Sequence, residues 1–215
     1  MKKTMIISRF GEDISWIREY NIDYIIYNKG GELIGYNTID IENIGNNQRD
    51  IFKFIYENYN DLPDVMIFVQ GNPFDHCNRE KFNELIKNDK FTALESFDDI
   101  DQTGWNRLGE IDGGFMEVNN SWYVSSHNSA YNQSCKWSSL DDFMYNTFSN
   151  YTSTQFIRFT PGSQYIITKD IALHYKRDFW LYLMNILYKN NMTEGHIIER
   201  SLWMILKCNL EQTIC

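Results

Sequence analysis

Val65-Met66-Ile67-Phe68-Val69-Gln70 is the most apolar run of the chain; Pro63 precedes it, and Gly71-Asn72-Pro73 ends it abruptly. A short, continuous apolar run between turn formers reads as a strand covered on both faces, the situation of a central strand in a parallel sheet. That demand restricts the fold to an α/β class in which helices supply both covers.

The flanking sequence alternates as this requires. Thr4–Ser8 reads as a strand, Glu12–Tyr20 as a helix with Ile14, Trp16 and Ile17 inward, and Tyr24–Tyr27 as a second buried strand closed by Asn28-Lys29-Gly30-Gly31. A short strand at Thr38–Ile41 leads to an amphipathic helix at Arg49–Tyr59, and another helix is predicted at Glu80–Lys87. Residues 91–150 are less periodic, with weak strands at 114–118 and 122–125. Phe156–Phe159 and Gln164–Thr168 form a predicted strand pair around Pro161-Gly162. Helices at Asp170–Asn190 and Glu194–Asn209 complete the chain. The expected fold is a mixed, mostly parallel sheet with helices on both faces, in one domain over 1–215.

Composition narrows the function classes. The 215 residues suit one generous domain. Aromatic residues at 16% exclude a disordered chain. A net charge of −9 argues against nucleic acid as a partner, because basic stripes supply most of that affinity. An anionic ligand would need a local patch or a metal ion. No run approaches the ~20 apolar residues of a membrane-spanning helix. The start Met1-Lys2-Lys3 imitates a signal peptide, but Arg9 cuts its apolar part short. A cytoplasmic protein without a transmembrane segment is expected. Cys77, Cys135, Cys208 and Cys215 form no C-x-x-C pair and are expected as free thiols.

Ligands of α/β sheets bind beyond the carboxyl ends of the strands. That points to four loops: Ser8–Glu12, Asn28–Gly31, Asn43–Arg49 and Gln70–Asn78. In the last, Asp75 and His76 suit a divalent ion, Mn²⁺ or Mg²⁺; the competing reading is a rigid turn in which Asp75 caps the following helix. In Asn43–Arg49, Gly45 precedes a helix whose N–H groups suit phosphates, and Arg49 can fork onto a diphosphate; an ordinary cap is the alternative. The acidic run Asp98-Asp99-Ile100-Asp101 reads as a metal site or a solvated face. His76, His127, His174 and His196 lack H-E-x-x-H spacing, and no G-x-S-x-G elbow exists. Glu199 and Arg200 interrupt an apolar helix. Glu199 is either a surface residue or a general base, and helical geometry turns Arg200 about 100° away from it.

Five blocks together resemble a known family: ISRFGEDISWI (7–17), YIIYNKG (24–30), ENIGNNQRDIFKFIYENYNDLPDVMIFVQGNPFDH (42–76), FTPGSQYIITKD (159–170) and IIERSLWMIL (197–206). They are similar to small proteins of an uncharacterised family of large DNA viruses, bacteria and fungi with the nucleotide-diphospho-sugar transferase fold, GT-A. They also resemble the N-terminal glycosyltransferase domain with which chlorella viruses decorate capsid glycans. The resemblance implies a GT-A-like glycosyltransferase that moves a sugar from a nucleotide-diphosphate donor to a hydroxyl of a glycan or glycoprotein acceptor, in host cytoplasm if the source is viral. Ser8, Arg9, Asn28 and Lys29 would grip nucleobase and ribose. Asn43, Gly45, Asn46 and Arg49 would lie beside the donor. The loop from Gln70 through Asp75 and His76 takes the place of the metal-binding Asp-x-Asp motif, which this sequence lacks. Gly162 and Gln164 fall on the acceptor-side strand, and Glu199 matches the base of inverting enzymes. The missing motif also motivates the alternative of a non-catalytic carbohydrate-binding or assembly module on the same fold.

Overall fold

The computed structural model describes residues 1–96, 106–107, 114–124, 126, 135–189 and 192–213. Asp98, Asp99, Asp101 and His127 lie outside the described residues. The strands are β1 (Lys3–Arg9), β2 (Asp23–Asn28), β3 (Thr38–Asp40), β4 (Val65–Gln70), β5 (Thr92–Ala93), β6 (Asn106–Arg107), β7 (Phe115–Val118), β8 (Phe156–Phe159) and β9 (Tyr165–Thr168). The helices are α1 (Asn46–Glu57), α2 (Arg79–Leu85), α3 (Leu140–Thr147), α4 (Lys169–Leu173), α5 (Arg177–Ile186) and α6 (Met192–Lys207).

Six strands form one mixed, mostly parallel sheet in the order β3-β2-β1-β4-β9-β5. β1 pairs in parallel with β2 and β4, β2 pairs in parallel with β3, and β9 runs antiparallel to both β4 and β5. A second, antiparallel sheet has the order β6-β7-β8. The strand alternation sorts the core into two layers. Met5, Ile7, Ile26, Ile67 and Val69 face Trp16, Ile17 and Phe82. Ile6, Tyr27, Met66, Phe68 and Ile167 face the apolar sides of α1, α5 and α6. Both faces of β4 are thus buried, as its unbroken apolar run requires.

Four elements differ from their sequence patterns. The helix expected at Glu12–Tyr20 is a 3₁₀ turn, Ser15–Glu19, although Ile14, Trp16 and Ile17 are buried as read. The Glu12 carbonyl is taken by Arg9 Nε at 2.9 Å, and Asp13 binds Ser15 through both side-chain oxygens, so no α-helical ladder starts there. Residues 122–124 are helical, not a strand; Ser121 has a φ of +49°, and Asn120 Oδ1 accepts from the Trp122 N–H at 3.2 Å. β8 and β9 do not pair. Gly162 and Ser163 both have positive φ, and the turn passes the chain from the small sheet into the large one. The helix expected over Asp170–Asn190 is broken between α4 and α5, where tertiary partners claim the intervening groups: Tyr59 Oη donates to the Tyr175 carbonyl, and Tyr175 Oη to the Ile205 carbonyl, each at 2.7 Å.

Candidate functional site

β2 and β3 lie on one side of β1 and β4 on the other, so the chain leaves the carboxyl ends of β1 and β4 in opposite directions. A crevice opens at such a switch point. Here it is a cavity of about 770 Å³ lined from β1 and its loop, the β2 end, the α1 N-terminus, the β4 loop, the β8–β9 turn and α6.

The β1–β2 side is basic. Arg9 is 7% exposed. Its Nε donates to the Glu12 carbonyl at 2.9 Å, and its Nη1 to Asn28 Oδ1 at 2.6 Å and the Gly30 carbonyl at 2.8 Å. Asn28 stands behind it, away from the cavity, and donates on to Asp40 Oδ1 at 2.8 Å. Lys29 Nζ lies 2.8 Å from Asp50 Oδ2, with both side chains buried, and donates to the Asn46 carbonyl at 2.6 Å. Burial pushes the Asp50 carboxyl up, against the lowering effect of Lys29 and of the Ser8 hydroxyl. Ser8, Asn43 and Asn46 line the cavity. Gly45 and Arg49 do not: a φ of +71° at Gly45 starts α1, and the Arg49 stem packs where a Gly45 side chain would sit.

The opposite side is built on Gly162. Its N–H donates to Glu199 Oε1 at 2.9 Å, and its carbonyl accepts from Asn47 Nδ2. A Cβ on Gly162 would stand 2.6 Å from His76 Cδ2 and 3.0 Å from Gln70 Cδ. Only glycine therefore lets helix, turn and β4 loop converge there. Gln164 lies beneath, fully buried. Its Oε1 accepts from the Gln70 N–H, and its Nε2 donates to the Pro73 carbonyl, each at 3.1 Å. Gln70 and His76 reach the cavity; burial lowers the His76 pKa, with Glu199 and Asp75 acting in the other direction.

The Glu199 side chain is 14% exposed, and its Oε2 lies 3.3 Å from Arg200 Nη1 and 3.7 Å from His196 Nδ1. The expectation that Arg200 leaves this carboxylate alone is thus corrected. Arg200 is pulled back by Glu117 Oε2, 2.7 Å from its Nε, and its guanidinium stacks on Tyr123 and Phe159. Asp75 is exposed, and Asn72 Nδ2 donates to its Oδ1 at 2.6 Å. It does not cap α2; Asn78 does, accepting from the Lys81 N–H at 2.8 Å.

Asp75 and His76 share the cavity wall. Among the described residues, no three His, Cys, Asp or Glu side chains group to hold a metal ion. The donor set therefore suits only an ion whose remaining ligands come from phosphates and water, with Asp75 as its carboxylate.

Sequence reasoning missed Asp50 and Glu117; Phe10, Glu12 and Asn47 lie in the Ser8–Glu12 and Asn43–Arg49 loops it pointed to, though it did not single them out. Asp50 had a signal, a charge on the inward face of an amphipathic helix. Glu117 had none, since only the fold of the small sheet brings it to Arg200.

No curated protein and no solved structure matches this chain. A family model described as "Protein of unknown function (DUF3431)" matches residues 5–215, nearly the whole chain, and the protein belongs to that family.

Proposed function

We propose that this chain is a GT-A-like glycosyltransferase that moves a sugar from a nucleotide-diphosphate donor to a hydroxyl of a glycan or glycoprotein acceptor. The carrying observation is the cavity at the β1/β4 switch point, with buried cations and a helix N-terminus on one wall and Glu199 on the other. The resemblance of the strand-end loops supports the same reading. Donor phosphates fit the basic wall, where Ser8, Lys29, Asn43 and Asn46 stand. The acceptor hydroxyl fits the Glu199 wall. Its oxygen would attack the anomeric carbon as the bond to the diphosphate oxygen breaks, and its proton would pass to Glu199. Inversion follows from such a single displacement. A divalent ion entering with the donor, Mn²⁺ or Mg²⁺, would be held by Asp75 and would neutralise the leaving diphosphate.

The test is titration with UDP, GDP and TDP and their sugars, with and without Mn²⁺, followed by assay of sugar release. Thermal stabilisation by a nucleotide, with turnover of its sugar, is the result expected. If no nucleotide binds, the proposal is wrong.

A second reading, a non-catalytic carbohydrate-binding or assembly module, is favoured by one observation: Glu199 is engaged by Gly162 and Arg200 as a structural tie would be. It requires glycan binding without release of sugar from any donor.

A further inference from the structure

Arg9 holds a charge that no carboxylate among the described residues neutralises. The residue is more than nine-tenths buried, yet its three hydrogen bonds all go to neutral acceptors: two backbone carbonyls and the Asn28 amide oxygen. Among the described residues no carboxylate pairs with it, whereas Lys29 has Asp50 and Arg200 has both Glu117 and Glu199. A buried charge without a counter-ion is costly, and folds rarely keep one that has no use. Those bonds occupy Nε and both hydrogens of Nη1. Among the described residues the two hydrogens of Nη2 have no acceptor, and the atom remains reachable from solvent. Arg9 lines the cavity, and Nη2 is the open end of its fork; a Cβ on Gly31 would stand 3.8 Å from it.

Two further features add positive potential to that wall, which also carries the Glu12 carboxylate, held by the Phe10 N–H at 2.5 Å. The first turn of α1, Asn46–Gln48, lines the cavity, and its N-cap, Gly45, has no side chain to cap the helix, whose N-terminus carries roughly half a positive charge. Gln48 is 4% exposed and lines the same wall, and its Oε1 has no hydrogen-bond partner among the described residues. That oxygen is buried from solvent, and because amide oxygen and nitrogen are interchangeable by rotation, a turn of the side chain toward the cavity would present an N–H to an anion.

We propose that Arg9, with Gln48 and the α1 N-terminus, forms a metal-independent site for a diphosphate group. Oxygens of the diphosphate take the open Nη2 hydrogens and supply the missing counter-charge. This would let a chain without an Asp-x-Asp motif hold an anionic donor. The inference deepens the proposed function and rests on it for the nucleotide-sugar identity of the ligand; the anion site itself is tested separately.

The probe is inorganic pyrophosphate in excess EDTA, measured by calorimetry on the whole protein. Wild type should bind it, more weakly as salt rises. R9Q should bind roughly tenfold or more weakly, the scale of a lost charge-assisted hydrogen bond. R9K should recover only part, because an ammonium lacks the fork. R9Q also removes ties to the β2 loop, so a readout on wild type accompanies it: pyrophosphate should protect Arg9 from phenylglyoxal, read by mass spectrometry. Failure of pyrophosphate to bind in EDTA, or binding that leaves Arg9 unprotected, overturns the proposal. If pyrophosphate binds at Arg9 but no nucleotide sugar is turned over, the anion site stands and the glycosyltransferase reading falls. If nucleotide sugars turn over while Arg9 stays unprotected, the reverse holds.

Discussion

Glu199 is the residue on which the proposed transfer turns. Its Oε1 accepts from the Gly162 N–H, and its Oε2 faces Arg200. In Glu199→Gln the amide oxygen can keep the bond to Gly162 while basicity is lost. Transfer should fall about 10²–10⁴-fold with donor affinity nearly unchanged, the usual range for loss of a general base. Near-normal turnover in steady-state assays would leave Glu199 as a structural tie. His76 makes a separate prediction. Burial holds its pKa below the ordinary 6.5, so between the folded value and 6.5 the unfolded chain binds more protons. Its contribution to stability is complete above pH 6.5 and is lost as pH falls through that window. Denaturant midpoints across mildly acidic pH should show His76→Gln flattening the slope. An unchanged slope would place the His76 titration elsewhere. The sequence offers Glu199 as a candidate base and His76, beside Asp75, as a candidate ligand, but it does not show that both pack against Gly162, in a turn far from either along the chain.

At the element scale, the Lys29–Asp50 pair joins the end of β2 to the first turns of α1. Both charges are buried, so removing one leaves the other uncompensated. Lys29→Met should cost about 3–5 kcal/mol in chemical denaturation, and Lys29→Met with Asp50→Leu should restore most of it, since apolar replacement of a buried pair is commonly neutral or better. A double variant as unstable as the single one would mean that the pair does more than compensate charge. The parallel strands were legible because period and length set them locally. α1 was legible too, though it begins at Asn46 instead of Arg49. The 3₁₀ turn at Ser15–Glu19 and the break between α4 and α5 were not, because partners distant in sequence take the groups that a longer helix would use.

At the scale of the whole molecule, one core joins the large sheet to its C-terminal helix. Ile197, Ile198, Leu202, Ile205 and Leu206 of α6 are buried with Ile6, Met66 and Tyr165 of the sheet. Each such side chain is worth about 1.5–3 kcal/mol on burial, and total stability is usually about 5–15 kcal/mol. Ending the chain after residue 191 should therefore abolish the cooperative thermal transition; a truncated chain melting as wild type does would show that α6 is a separable appendage. Among the described residues no helix is long and apolar enough to cross a membrane.

Sequence alone determined the α/β class, the central place of β4 and the strand-end loops that meet at the cavity. Those follow from local periodicity and from burial on two faces, which neighbouring residues encode. Tertiary structure alone decided that Lys29 is paired while Arg9 has no carboxylate partner among the described residues, that Arg200 touches Glu199, that Asn78 caps α2, and that β8 and β9 belong to different sheets. Charge pairing and strand pairing depend on distances across the fold, and no spacing along the chain specifies them.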